Sequence, residues 1–154
     1  MAARTILIGL GNPIMSDDAI GIRVAEEVLR LVPGLEGDLS SSGGFDVLDC
    51  IIGYDRAVII DAMMTGRFPP GTVRRVDADP ELRTQRIAYS HGMNFLGAIE
   101  VGRLTGADIP GEILIYGIEV EDPVSIGEEM SEVLTKKVGD IAAEIAGELE
   151  GGGD

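Results

Sequence analysis

The sequence predicts an α/β fold, a three-layer α/β/α sandwich around a mostly parallel, mixed and twisted sheet of about five strands. Three observations carry that expectation. Short apolar runs, Thr5-Ile6-Leu7-Ile8, Ala57-Val58-Ile59-Ile60 and Ile113-Leu114-Ile115-Tyr116, are too continuous for half-exposed strands and read as strands buried on both faces. Amphipathic stretches alternate with them, which is the order that winds a parallel sheet. The 154 residues are 45% hydrophobic with no long apolar run, enough for one sizeable core and nothing that spans a membrane. Residues 1–150 are expected to form a single domain and 151–154 a disordered glycine-rich tail.

Each element has its own signature. After the first strand, Ala19 to Val32 shows Ile20, Val24, Val28 and Leu31 about one turn apart, with Arg23, Glu26, Glu27 and Arg30 opposite, so the first helix lays that stripe on the sheet. Pro33-Gly34 ends it, and Gly37 to Leu39 begins a second strand. Ser40 to Gly44 reads equally as a linker turn or as a loop that another chain's backbone approaches closely. A short helix over Phe45 to Ile52 leads into Arg56 to Asp61, a buried central strand with a carboxylate at its carboxyl end. Met63 to Pro70 is a loop and Gly71 to Val76 a more exposed strand. Ser90 opens a helix whose apolar side includes Met93, Leu96 and Leu104. After the strand Glu112 to Ile118, Ser125 and Glu128 stand as a capping box for a final helix striped by Met130, Leu134, Val138, Ile141, Ile145 and Leu149.

Charge and cysteine usage exclude several functions. The net charge is −15, and residues 112–154 alone hold twelve acids against Lys136 and Lys137. Such a surface repels phosphate backbones and anionic lipid, so neither nucleic acid nor membrane is expected as a partner. Arg74, Arg75, Arg83 and Arg86 are interspersed with Asp77, Asp79 and Glu81 and read as a solvated surface. Cys50 is the single cysteine, so there is no internal disulfide and no cysteine cage for zinc. It sits in a helix, where packing is its expected role. Together with an amino terminus that lacks a secretory signal, this fits a reducing cytoplasm.

Chemistry is expected at the turn from the first strand into the first helix, Gly9 to Gly21. The dinucleotide fingerprint would need glycine where Ile14 stands, and the lysine-bearing phosphate loop is missing. Asp17 and Asp18 suit a cation better than a phosphate, unless they simply cap the helix. Asp18 after strand one, Asp61 at the end of a central strand and His91 at the start of a helix fall on one edge of such a sheet. Two carboxylates and an imidazole make a three-ligand site for a divalent ion with positions left open, although a lone histidine is more often structural. Glu119, Glu121 and Asp122 also follow a strand end and can line the same cleft.

Four segments now carry a resemblance: Gly9-Leu10-Gly11-Asn12 with Asp17-Asp18-Ala19-Ile20-Gly21; Ile60-Asp61-Ala62; Ser90-His91 before a helix; and Tyr116-Gly117-Ile118-Glu119. In this combination the chain resembles the hydrogenase maturation endopeptidases, over nearly its whole length. The resemblance implies an endopeptidase that removes the carboxyl-terminal extension of a nickel-iron hydrogenase large-subunit precursor after nickel insertion. It implies that Asp18, Asp61 and His91 hold the metal, nickel supplied by the precursor or another divalent ion, and carry the catalysis. It also places Gly43 and Gly44 in a substrate-facing loop. Whether the carboxylates attack, act as base or only ligate stays open. Many members have glutamate where Asp18 stands, and relatives often carry an acid directly before the glycine loop, whereas Asp38 lies slightly off that register and is left out of the site. Two other readings compete: a non-catalytic nickel-binding assembly protein using the same three ligands, and a peptidyl-tRNA hydrolase-like esterase, which shares the opening GLGNP but needs a basic groove.

Overall fold

A computed structural model describes residues 3–39, 44–78, 90–121, 125–127 and 129–151, with the backbone alone for residues 90–94. In chain order these form β1 (Thr5–Gly9), a 3₁₀ turn (Ser16–Ala19), α1 (Ile20–Leu31), β2 (Glu36–Asp38), α2 (Phe45–Ile51) and β3 (Arg56–Met63). There follow β4 (Val73–Arg75), α3 (Ser90–Leu104), β5 (Glu112–Glu119) and α4 (Glu132–Gly151).

The strands pair in the order β2-β1-β3-β5-β4, all parallel except β4, which runs antiparallel to β5 at one edge. This is the mixed, mostly parallel five-stranded sheet that the sequence predicts. The runs in β1 and β3 are apolar throughout because both faces are covered. Ile6, Ile8, Ala57, Ile59 and Met63 pack with Val47 and Ile51 of α2 and Phe95 and Ile99 of α3. Leu7, Val58, Ile60 and Ala62 pack on the other face with Ile20, Val24 and Val28 of α1 and Leu134, Ile141 and Ile145 of α4. The connection through α1 leads from β1 to β2 on one side, and that through α2 leads back across to β3 on the other. The order therefore reverses between β1 and β3, and a crevice opens beyond their carboxyl ends.

Several boundaries depart from expectation, each for a tertiary reason. β2 covers Glu36–Asp38 because it follows the register of Ile6 to Ile8. β3 runs two residues past Asp61 because β5 pairs with it as far as Met63 and Glu119. The loop expected from Met63 thus starts at Met64. Leu31, the last residue of α1, is 42% exposed, since the buried stripe is Ile20, Gly21, Val24, Ala25 and Val28. In α3 the sheet-facing residues are Phe95, Ala98 and Ile99, while Leu104 is 79% exposed. Gly102 lets α2 approach that helix, since a Cβ there would lie 2.7 Å from Leu48 Cδ1. The side chains of Ser90 and Met93 lie outside the described residues.

The largest difference is at the final helix, which begins at Glu132, so Ser125 does not cap it. Gly127, two residues on, pairs instead with the first loop at Met15. Ser16 N donates to Gly127 O (2.9 Å) and Gly127 N to Ile14 O (2.7 Å), backbone bonds that replace those an earlier helix start would have made. Glu128 lies outside the described residues. The expected stripe persists, with Met130 and Val138 partly buried and Leu134, Ile141, Ile145 and Leu149 buried. Of the expected tail, Gly151 closes the helix and 152–154 lie outside the described residues.

Candidate active site

The loop after β1 is built against β3. Leu10 N donates to Ile60 O at 2.9 Å, so the chain leaves the sheet beside Asp61. Gly11 has φ +149°, and a side chain there would strike the carbonyl oxygen of Asp18. Asp18, 3% exposed, closes the loop by accepting from Asn12 N at 2.7 Å. Helix α1 follows at once, and Gly21 brings it close: a Cβ at Gly21 would collide with Leu10 O, lie 2.6 Å from Ile60 O and 3.2 Å from Asp61 Cα.

The two adjacent acids do different work, and neither side chain caps α1. Asp17 is fully buried and accepts from Ser131 N and Ser131 Oγ, both at 2.6 Å, and from Glu121 N at 3.1 Å. It ties the first loop to the segment after β5 and to the start of α4. Asp18 turns the other way, into the loop that borders Asp61.

Asp61 is 4% exposed, and its Oδ1 accepts from Ala62 N at 2.8 Å. By strand alternation it shares the face of Ile59 and Met63, the face covered by α2 and α3. His91 is the second residue of α3, on that same side, and its imidazole lies outside the described residues. Among the described residues no three histidine, cysteine, aspartate or glutamate side chains group as metal ligands. The structure thus puts Asp18 in the 3₁₀ turn of the connection that leaves β1, Asp61 near the carboxyl end of the neighbouring β3, and gives His91 a backbone position. Gly43 lies outside the described residues. Gly44, with φ 60° and ψ −134°, opens α2 in the loop that leaves the carboxyl end of β2, on the same edge of the sheet.

Glu119 has a role that its position in the sequence leaves undefined. It is 2% exposed and gathers the loop after β3, accepting from Thr65 Oγ1 (2.6 Å), Thr65 N (3.0 Å) and Gly66 N (3.1 Å). An acid ending an apolar strand was the available signal, and it is the same signal that marks Asp61. Glu121 contributes its backbone N–H to Asp17, and Asp122 lies outside the described residues. Cys50 is half-buried and its thiol donates to Asp38 Oδ2 at 3.0 Å, so it is more than a packing residue.

Asp77 accepts a bidentate pair from Arg75 (2.8 and 2.6 Å) and a third bond from Ile115 N (2.8 Å). Burial opposes its charge, but those hydrogen bonds and the Arg75 charge prevail and hold its carboxyl below the ordinary value. Tyr116 donates to Glu148 Oε2 at 2.6 Å, and burial followed by that bond pushes its hydroxyl up. A cavity of about 780 Å³ is an open groove between α1 and α4 lined by Arg23, Glu26, Arg30, Glu129, Met130 and Val138. Neither Asp18 nor Asp61 lines it.

Comparison with known proteins agrees with this reading. The hydrogenase maturation protease family model matches residues 41–148. The chain is 28% identical over 120 residues to the hydrogenase 2 maturation protease of Escherichia coli, covering 75% of this chain and 72% of that protein. Its fold matches that of the hydrogenase maturating endopeptidase HybD from E. coli with a TM-score of 0.81 at 22% identity, covering 97% of this chain and 94% of that one. The nickel-iron hydrogenase maturation protease HycI from Thermococcus kodakarensis matches with a TM-score of 0.64 at 29% identity, covering 97% and 94% of the two chains. With the family model matching residues 41–148, from before α2 into α4, the chain belongs to the hydrogenase maturation protease family and is an endopeptidase.

Proposed function

We propose that this endopeptidase removes the carboxyl-terminal extension of a nickel-iron hydrogenase large-subunit precursor once nickel is in place, and that Asp18, Asp61 and His91 recognise the precursor's own nickel. The observation that carries the reading is a pair of buried carboxylates, more than forty residues apart in sequence, one in the 3₁₀ turn of the connection that leaves β1 and one near the carboxyl end of the adjacent strand β3. Carboxylate oxygens and an imidazole nitrogen are a donor set that suits a divalent first-row ion. Because the ion arrives with the substrate, the enzyme needs only enough ligands to complete its coordination. Gripping it orients the adjoining tail, so the peptide bond meets the site in a fixed geometry and the entropic part of the hydrolytic barrier falls. Water adds to the scissile carbonyl, the C–N bond breaks and the new amine leaves with a proton. Gly43 and Gly44, on the neighbouring loop, let the tail's backbone approach without obstruction. A cytoplasmic setting, where the precursor is made, fits the single unpaired-by-disulfide cysteine.

The test is mass spectrometry of a nickel-loaded precursor incubated with purified protein. The wild-type chain releases the tail, whereas Asp61→Ala and His91→Ala, folded by circular dichroism, leave the precursor intact. Unchanged processing by either variant would refute the assignment of that residue.

A further inference from the structure

Two large apolar side chains stand exposed on connections that leave the carboxyl ends of different strands, and their backbones are fastened together. Ile14, 53% exposed, follows β1, and Ile126, 87% exposed, follows β5. Gly127 N donates to Ile14 O (2.7 Å) and Ser16 N to Gly127 O (2.9 Å), so Met15 and Gly127 pair as a parallel bridge. Ile126 therefore runs beside Ile14 at a strand spacing of about 5 Å. Side chains alternate across such a pair, so both isoleucines stand on the side opposite Met15, which is half-buried. A single exposed apolar residue is ordinary, whereas two held side by side by main-chain bonds mark a contact surface.

The patch is firmly held and continuous with the candidate site. Asn12 braces the first loop from within, its Oδ1 accepting from Ile14 N (3.1 Å) and its carbonyl from Met15 N (3.1 Å), while Asn12 N donates to Asp18. Ser16 Oγ donates to Glu129 O (3.1 Å), and Asp17 anchors the same loop to Ser131. Ile14 is thus presented by the loop that Asp18 closes, and little ordering is left for a partner to impose. Charge points the same way. Residues 9–16 and 125–127 contain no charged side chain, on a chain of net charge −15. Another protein can cover them without stripping water from a carboxylate, and the centres of protein interfaces are depleted of charge for that reason.

We propose that Ile14 and Ile126 form a docking surface for the folded body of the protein substrate, covered by apolar side chains that lie outside the excised tail. The inference rests on the proteolytic reading given above. At 87% exposure Ile126 stands out from the surface instead of lining a cleft, a shape that meets another folded surface and encloses no extended peptide. A substrate whose metal is gripped beside Asp18 brings its body against this rim, because Ile14 is only four residues away on the same closed loop. The pair acts by binding and is not catalytic. It therefore governs KM and leaves the step at the peptide bond alone.

The double variant Ile14→Ser/Ile126→Ser tests this, with two fluorescein-labelled probes followed by anisotropy: the nickel-loaded precursor, and its tail alone as a synthetic peptide. Cleavage kinetics on the precursor are measured in parallel. Both side chains are exposed, so the variant should fold, and circular dichroism with a urea midpoint checks it. Leu104→Ser serves as control, since Leu104 is 79% exposed at the end of α3 that leads into β5, on the opposite edge of the sheet. The expected result for the double variant is a rise of about tenfold in KM at unchanged kcat and an equal loss of precursor affinity, both persisting at high salt. Affinity for the tail peptide should stay at the wild-type value, and the control should match wild type throughout. Equal KM and equal precursor affinity in variant and wild type overturn the docking surface while leaving the protease reading standing. A fall in kcat at constant KM overturns it too, because the loop would then act through the geometry of Asp18. So does weaker binding of the tail peptide, which would make the tail the occupant, and so does a wild-type dimer in sedimentation that the variant fails to form, which would make it a second copy of this chain. Precursor binding that depends on the two isoleucines, by a protein that cuts no precursor, would support the surface and sink the protease reading instead.

Discussion

At Gly21 the helix and the sheet meet with no room for a methyl group. Its Cβ would press on the carbonyl oxygens of Leu10 and Ile60, which are backbone and cannot swing aside. Gly21→Ala should therefore cost about 3 kcal/mol, a loss measurable by urea denaturation, and should disturb Asp61 next to it. Asp17 makes a second residue-scale prediction. Its three hydrogen bonds join the first loop to Ser131 and Glu121, so Asp17→Ala strips partners from buried donors and should destabilise by about 2–3 kcal/mol. If Asp17 were a metal ligand, the variant would lose processing while keeping its denaturation midpoint. The opposite pattern is expected: a lower midpoint, with processing recovered at low temperature where the fold persists.

Among the elements, the edge strand β4 depends on one carboxylate. Asp77 is held charged by Arg75 and by Ile115 N–H, so its folded-state value lies below the 3.8 of an unperturbed aspartate. The unfolded chain then takes up this proton at a higher pH than the folded one. Asp77 therefore contributes stability that is fully present above about pH 4 and is lost as pH falls through the lower, folded value. Asp77→Asn should flatten that part of the stability curve, as seen in denaturation midpoints between pH 3 and 6. The loop before β4 depends likewise on Glu119, and Glu119→Ala should leave β3 and β5 intact while exposing residues 64–67 to faster proteolysis.

Over the whole molecule, the two ends of the chain close the fold together. α1 and α4 cover one face of the sheet, and Gly127 binds the loop after β1 through two backbone hydrogen bonds. Leu134, Ile141, Ile145 and Leu149 of α4 are buried in that layer, at roughly 1.5–3 kcal/mol each on burial. Their sum is comparable with the total stability of a domain this size. Truncation before Glu132 should thus abolish cooperative unfolding as well as processing, as judged by circular dichroism, even though the site carboxylates lie elsewhere in the sequence.

Layering, strand order of appearance and the two carboxylates at strand ends were legible because they rest on local patterns. An uninterrupted β-branched run such as Val58-Ile59-Ile60 needs cover on both faces, and an acid at its end stands where the chain leaves that cover. Helix faces and boundaries were not legible in the same way. Leu104 looks apolar in sequence but lies past the sheet, and the capping pattern at Ser125 lost to backbone pairing with Ile14 and Ser16. The sequence by itself determined an acidic α/β domain with Asp18, Asp61 and His91 as its chemical candidates. Only the tertiary structure decided that Asp17 is a clamp, that Asp18 closes the first loop onto Asn12, and that Arg74 shares a row with Asp61. Such assignments depend on which groups meet across the sheet, and pairing between distant segments leaves no periodic trace along the chain.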